Sequence, residues 1–117
     1  MIRSRIASTG MYVPPNVMTN EDLGKIMDTS DDWIVQRTGI KERRWCNDDS
    51  ISTSDLALKA SEQAIVKAGL RKEDLDMIIL STLSADHEFP GTACFLQKKL
   101  GISNIPALDI RQQCTGF

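Results

Sequence analysis

The sequence predicts a layered α/β fold, in which helices cover a parallel sheet. Two short apolar runs, within residues 76–83 and 105–110, have the composition of buried strands. A helical pattern with a 3.6-residue period precedes the first run, and a second helical pattern lies between the two runs. Strands that alternate with helices in this way are typical of parallel sheets with right-handed crossovers.

A short strand and a short helix are predicted at the start of the chain. The strand candidate is Met1–Ser8, and Pro14, which no helix interior would tolerate, follows it closely. Asn20 or Thr19 can cap a helix that runs through Lys25, because both side chains offer an oxygen to the first free amides.

Two further helices are predicted from their caps and from their terminal glycines. One begins at Thr29 or Ser30 and ends at Gly39, where a left-handed residue is easiest for glycine. The longest covers Thr53–Ala68, has a stripe of small apolar side chains that permits close packing, and ends at Gly69.

The second half of the chain reads as strand, helix, strand. Asp76–Leu83 contains an apolar run without alternation, which predicts a strand covered on both faces. Pro90 is expected to open a helix that ends at Gly101, with Gly91 as a weak cap that costs only about a few tenths of a kcal/mol. Ile105–Ile110 is the next predicted strand.

Composition excludes several classes of protein. Fourteen Lys and Arg against 16 Asp and Glu give a net charge of −2, which argues against a nucleic-acid partner. The chain has no apolar run near the ~20 residues of a membrane helix and no secretory signal, so no membrane association is expected. Three cysteines without zinc spacing indicate free thiols in a reducing compartment, and hence a cytoplasmic location.

Cys114 is the candidate nucleophile. It follows the end of a predicted strand by four residues, at the strand edge where ligands gather in α/β sheets. A helix that begins near Cys114 would lower the pKa of the thiol from ~8.5 and favour the reactive thiolate. Gly116 would leave room for a close approach. The alternative is a small buried residue that ends a strand.

Four segments resemble β-ketoacyl-acyl-carrier-protein synthase III, a condensing enzyme of the thiolase-like fold. They are DIRQQCTGF around Cys114, TSDDWIVQRTGIKERR, STLSADHEFPGTAC and the opening IASTGMYVPPNVMTNEDL. They occur in family order and at family spacing over nearly the whole chain. The resemblance implies that residues 1–117 are part of the N-terminal half of a thiolase-like domain, truncated just after the nucleophile.

The resemblance implies a two-step condensation that initiates fatty-acid synthesis. Cys114 would attack an acyl-CoA thioester, with its own backbone N–H in the oxyanion hole. Malonyl-acyl carrier protein would then lose carbon dioxide, and its carbanion would attack the acyl group. Coenzyme A enters as a thioester substrate, and no cofactor or metal is expected. Because the family's catalytic His and Asn lie downstream of the Cys, these 117 residues alone are expected to be inactive in condensation.

Trp33 and Arg37 are four residues apart on one helix face, where an indole and a guanidinium can form a flat cationic platform. Such a platform suits an adenine ring and a phosphate. The resemblance implies that these positions hold the nucleotide end of coenzyme A and that Thr29 hydrogen-bonds the base. The alternative is a self-contained Trp–Arg stack on a solvated helix.

Phe89 is implied by the resemblance to line the acyl pocket of a neighbouring subunit, in a homodimer of the full-length protein. The alternative is an ordinary apolar anchor before Pro90. His87, the only histidine, is expected to be a loop residue. Gln112 and Gln113 stand where the family usually has small residues, which leaves the length and branching of the acyl primer open.

Three alternative functions stay open. The first is another thiolase-superfamily condensing enzyme with a different or longer acyl substrate. The second is a non-catalytic module that binds coenzyme A. The third is the structural half of a split protein, whose other half is a separate chain.

Overall fold

A computed structural model describes residues 3–116, except for the side chain of Gln113. The chain forms two compact units, a smaller one of residues 13–50 and a larger one that combines residues 1–12 with residues 51–117. The regular elements, in chain order, are β1 Val17–Thr19, α1 Asn20–Gly24, α2 Asp31–Thr38, β2 Glu42–Arg44, α3 Thr53–Ala68, β3 Ile78–Ser81, α4 Thr92–Leu100 and β4 Ala107–Ile110. Over residues 3–116, no helix is long and apolar enough to span a membrane.

The smaller unit pairs β1 with β2 in an antiparallel ladder and contains α1 and α2. Thr19 is the cap of α1: its Oγ1 accepts a hydrogen bond from the backbone N–H of Asp22 at 3.1 Å. Lys25, followed by Thr19, lowers the pKa of Asp22 to about 2. Ser30 caps α2, and Gly39 ends it with φ 71°. Both predicted helices are therefore confirmed, and the caps are Thr19 and Ser30.

The larger unit is built around the parallel pair of β3 and β4, with α4 packed against both strands and α3 packed against α4. The register pairs Ile78 with Ala107 and Ser81 with Ile110. The core contains apolar side chains from β3 and from the predicted stripe of α4, namely Ile78, Leu80, Ala93, Leu96 and Leu100. The bounds of α3 are those predicted, and α3 and α4 both end at glycines with positive φ.

The predicted strand Met1–Ser8 is wrong over its described part, since residues 3–8 form no strand; residues 1 and 2 lie outside the described range. Residues 3–7 are exposed, and the chain contacts α3 only from Ser8 onward. Ser8 Oγ donates to the carbonyl of Ala64 at 2.6 Å. A Cβ added to Gly10 would overlap the carbonyl oxygen of Ala60. Contact with the backbone of α3 thus holds Ser8 and Gly10 without a ladder.

Within this chain, α4 covers one face of β3 and β4, and the other face is left open: Ile79 is 60% and Leu108 47% exposed. One other expectation needs correction. The fourth helix does not begin at Pro90 but at Thr92, with Gly91 as its cap.

The stability of the larger unit should depend on pH through Asp55. Its carboxylate accepts from Lys99 Nζ at 2.6 Å and from Ser52 Oγ at 2.7 Å. Lys99 first, and then Ser52, holds the pKa of Asp55 well below its ordinary value of 3.8. A depressed folded pKa means that the stabilisation is complete above the unfolded pKa and is lost as the pH falls toward the folded one.

Lys99→Met should therefore lower the free energy of unfolding at pH 7 by about 0.5–1 kcal/mol, since the Lys99 and Asp55 side chains are 29% and 35% exposed and solvent screens the pair. The loss should be smaller at pH 2, as measured by denaturant titration. Lys98→Met removes the neighbouring exposed charge and serves as the control. Equal losses for Lys99→Met at both pH values would contradict this account.

Candidate functional site

Cys114 lies on a single 3-10 turn, Gln113–Gly116, beyond the end of β4. Its side chain is exposed within this chain. A Cβ added to Gly116 would overlap Ser81 Oγ, so this turn lies directly against the end of β3. The helix expected to begin near Cys114 is only this turn within residues 3–116, and a single turn carries little macrodipole. Its effect on the thiol therefore stays a prediction.

Phe89 lies in the segment between β3 and α4, and its side chain is 92% exposed. Within the described residues the ring packs into no core, and its role at an acyl pocket stays a prediction. His87, two residues earlier, places its ring 4.9 Å from that of Phe95. His87 is thus a loop residue with an aromatic neighbour, as the sequence predicted.

Gly91 occupies the cap position of α4 but has no side chain that could accept a hydrogen bond. Asp109 of β4 provides that acceptor instead. Its two carboxylate oxygens accept from the backbone N–H of Ala93 at 3.1 and 3.2 Å. A Cβ on residue 91 would overlap this carboxylate. Gly91 has φ −65°, which any residue can adopt, so a larger residue here would have to displace the carboxylate but would not strain the backbone. The expectation of a weakly capped helix is corrected accordingly.

Trp33 and Arg37 form the predicted platform in the smaller unit. Arg37 Cζ lies 4.3 Å from the centroid of the Trp33 ring, and Arg37 Nη1 donates to the Trp33 carbonyl at 3.3 Å. Trp33 is 53% exposed, so part of the indole is free to contact a ligand. Thr29 Oγ1 is buried and has no hydrogen-bond partner among the described residues. This geometry fits both a nucleotide platform and the self-contained stack.

A buried asparagine that sequence reasoning missed organises the smaller unit. Asn20 is almost fully buried, and its Nδ2 donates to Asp31 Oδ1 at 2.7 Å and to the Ile40 carbonyl at 2.8 Å. Arg43 donates to Asn20 Oδ1 at 2.6 Å. Arg43 therefore has a structural partner within the smaller unit. A polar residue at a helix start gives no sequence signal for such a role.

The structure brings the predicted site residues together in two groups. Cys114 and Phe89 belong to the larger unit, and Thr29, Trp33 and Arg37 belong to the smaller one. Within residues 3–116, no cluster of three or more His, Cys, Asp or Glu side chains could hold a metal ion.

Known proteins resemble this chain over almost its whole length, although no family model matches it. It is 52% identical over 114 residues to the β-ketoacyl-[acyl-carrier-protein] synthase III 1 of Vibrio parahaemolyticus, covering 97% of this chain and 36% of that protein. The corresponding synthase III of Caldanaerobacter subterraneus is 53% identical over 116 residues, 99% of this chain and 35% of that protein. The crystal structure of the Aquifex aeolicus synthase III matches with a TM-score of 0.90 and 47% identity, over 96% of this chain and 36% of that one.

These matches define the fold as part of a thiolase-like condensing enzyme, as the sequence predicted. The chain spans about a third of the length of the curated relatives. The sequence predicted a portion of β-ketoacyl-[acyl-carrier-protein] synthase III. This prediction is confirmed, because about half of the aligned residues are identical in these synthases.

Gly91→Ala should displace the Asp109 carboxylate from the start of α4. Loss of a hydrogen bond to a charged acceptor should lower the free energy of unfolding by about 1–2 kcal/mol, as measured by denaturant titration. In an Asp109→Ala background there is no carboxylate to displace, so Gly91→Ala should cost little more. Strictly additive losses in this double-mutant cycle would rule out the coupling.

Proposed function

We propose that the natural polypeptide containing these residues condenses an acyl-CoA with malonyl-acyl carrier protein and thereby initiates fatty-acid synthesis. The observation that carries this proposal is Cys114, an exposed thiol at the carboxyl edge of a parallel strand pair. It is also supported by the similarity of the sequence to curated synthases, with which about half of the aligned residues are identical. Such a protein is an acyltransferase, and we place it in the cytoplasm.

The first half-reaction is acyl transfer to sulfur. The Cys114 thiolate attacks the thioester carbonyl carbon, and the resulting oxyanion collapses as the bond to the sulfur of coenzyme A breaks. The released thiolate takes up the proton that Cys114 gave up. A backbone N–H at the Cys114 turn would stabilise the oxyanion before collapse. A thiol suits both the formation and the breakdown of the acyl-enzyme, because it is a good nucleophile and a good leaving group.

The second half-reaction makes the carbon–carbon bond. Malonyl-acyl carrier protein loses carbon dioxide, and the electron pair left on its α-carbon attacks the acyl carbon. The Cys114 thiolate then leaves, which completes a ping-pong cycle. The catalytic His and Asn that the family resemblance implies would stabilise the carbanion. His87 has a different environment, beside Phe95.

The platform of Trp33 and Arg37 would hold the nucleotide end of the acyl-CoA. The exposed part of the indole can stack on adenine, and the guanidinium can bind a phosphate. Thr29 supports the same proposal, because its buried hydroxyl has no partner within the described residues and can bond the base.

Phe89 would line the acyl pocket of a second subunit in a homodimer. This is supported by its 92% exposure, although Asp86 in the same segment is hydrogen-bonded to Ser54 of α3 and Thr92 of α4. A second candidate function, condensation of a different acyl primer, is favoured by the match to the priming β-ketosynthase of the R1128 polyketide pathway, with a TM-score of 0.90 and 26% identity.

Incubation with acetyl-CoA should leave an acetyl group on Cys114 and on no other cysteine. Peptide mass spectrometry of the natural polypeptide measures this directly, and longer or branched acyl-CoAs identify the preferred primer. Cys114→Ser should abolish the modification, whereas the control Cys46→Ser should retain it. If none of these acyl-CoAs labelled Cys114, the chain would instead belong to a non-catalytic binding module.

Arg37→Ala should raise the KM for acetyl-CoA by about tenfold, because a stacked cation and a charge-assisted phosphate contact are both lost. The same variant should acylate normally from acetyl-pantetheine, which lacks the nucleotide. Arg71→Ala removes an exposed arginine from the other unit and serves as the matched control. A KM increase that persisted with acetyl-pantetheine would show that Arg37 does not bind the nucleotide.

A further inference from the structure

The segment that presents Phe89 begins and ends at residues that hydrogen-bond to each other or to a buried serine. The backbone N–H of Ser54 donates to Asp86 Oδ1 at 3.0 Å, and Ser54 Oγ donates to Asp86 Oδ2. The backbone N–H of Asp86 donates to Thr92 Oγ1 at 3.0 Å. Ser54 lies in the first turn of α3 and Thr92 is the first residue of α4, and neither has any exposed surface. Asp86 therefore connects the starts of two helices.

These contacts leave Asp86 with one favourable position. If its carboxylate moved away, the backbone N–H of Ser54 would lose its acceptor, and Ser54 Oγ would keep only Ser52 Oγ at 3.1 Å. A buried polar group that loses its partner carries the cost of its desolvation. If its backbone moved, Thr92 Oγ1 would lose its donor in the same way. Both helices are held in place without Asp86, because α3 packs against α4 and α4 packs against the sheet.

The bond between Asp86 and Thr92 closes a short loop, residues 86–92. Phe89 is at the centre of this loop and is 92% exposed, so its ring is not held by packing within the described unit. On the far side, the Asp109 carboxylate holds Ala93, the residue after Thr92. The direction in which Phe89 projects is therefore determined by the two ends of the loop.

We propose that Asp86 is a positioning residue for Phe89: by bonding Ser54 and Thr92 it holds the 86–92 loop in the geometry that determines which acyl groups the partner subunit's Cys114 accepts. This inference rests on the proposed function, in which Phe89 lines an acyl pocket. A purely structural role for Asp86, as an extra cap of α3, makes a different prediction. It would reduce the folded fraction and slow acylation by every primer equally.

The test compares the rate constants for Cys114 acylation by acetyl-CoA and by a branched five-carbon acyl-CoA, in the natural polypeptide. Asp86→Ala should change the ratio of the two rate constants by roughly tenfold, because small displacements of a positioning group alter rates strongly. Thr92→Val, which is nearly the same size and opens only the loop, should change the ratio in the same direction. Asp86→Asn keeps an acceptor for the Ser54 amide and should restore the ratio to within about twofold.

The control is Asp76→Ala, which removes an exposed carboxylate outside β3 and should leave the ratio unchanged. An unchanged ratio in both Asp86→Ala and Thr92→Val would overturn the positioning role. If the unaltered protein accepted no acyl group at all, the proposed function would fail, and hydrogen exchange would then test the position of the loop. Amides 87–89 should exchange roughly tenfold faster in Asp86→Ala, with β3 and α4 unaffected; unchanged exchange would overturn the proposal.

Discussion

The parallel pairing of β3 with β4 is the constraint on which the larger unit depends. Parallel strands leave the sheet at the same edge, and the register ends with Ser81 opposite Ile110. The segment that carries Phe89 follows β3, and the turn that carries Cys114 follows β4. One helix, α4, makes this pairing possible, because its buried stripe covers the face formed by Ile78 and Leu80. Both candidate site segments thus originate at one edge for a reason of packing.

Two close contacts between a glycine and a polar side chain then determine how the chain is arranged at this edge of the sheet. Gly91 admits the Asp109 carboxylate to the start of α4, and Gly116 admits Ser81 to the turn that carries Cys114. In each case a residue near a strand end meets a glycine near a functional segment. Because a β-carbon would occupy the space in question, side-chain volume at these two positions limits the geometry more than backbone conformation does.

The helices could be predicted from sequence because their determinants are local. Ser30, Gly39 and Gly69 act within one turn of the helices that they cap or end, and Trp33 meets Arg37 because residues four apart share a face. The strand predicted at Met1–Ser8 depended on a partner far away in sequence, so local composition could not decide it. The Asp86–Ser54 bond joins residues 32 apart and gives no local signal.

The two half-reactions of the proposed chemistry need different groups, and His87 does not have the same relation to both. Acyl transfer needs an accessible thiol and amide donors for an oxyanion, and the exposed Cys114 on its turn can supply both. Decarboxylation instead leaves negative charge on carbon and needs a donor beside the malonyl thioester. His87 has its ring next to Phe95 at the side of the Phe89 segment. In the proposed function, the described residues would provide the nucleophile and bind its thioester substrate, and the carbanion would be stabilised by the His and Asn that the family resemblance implies.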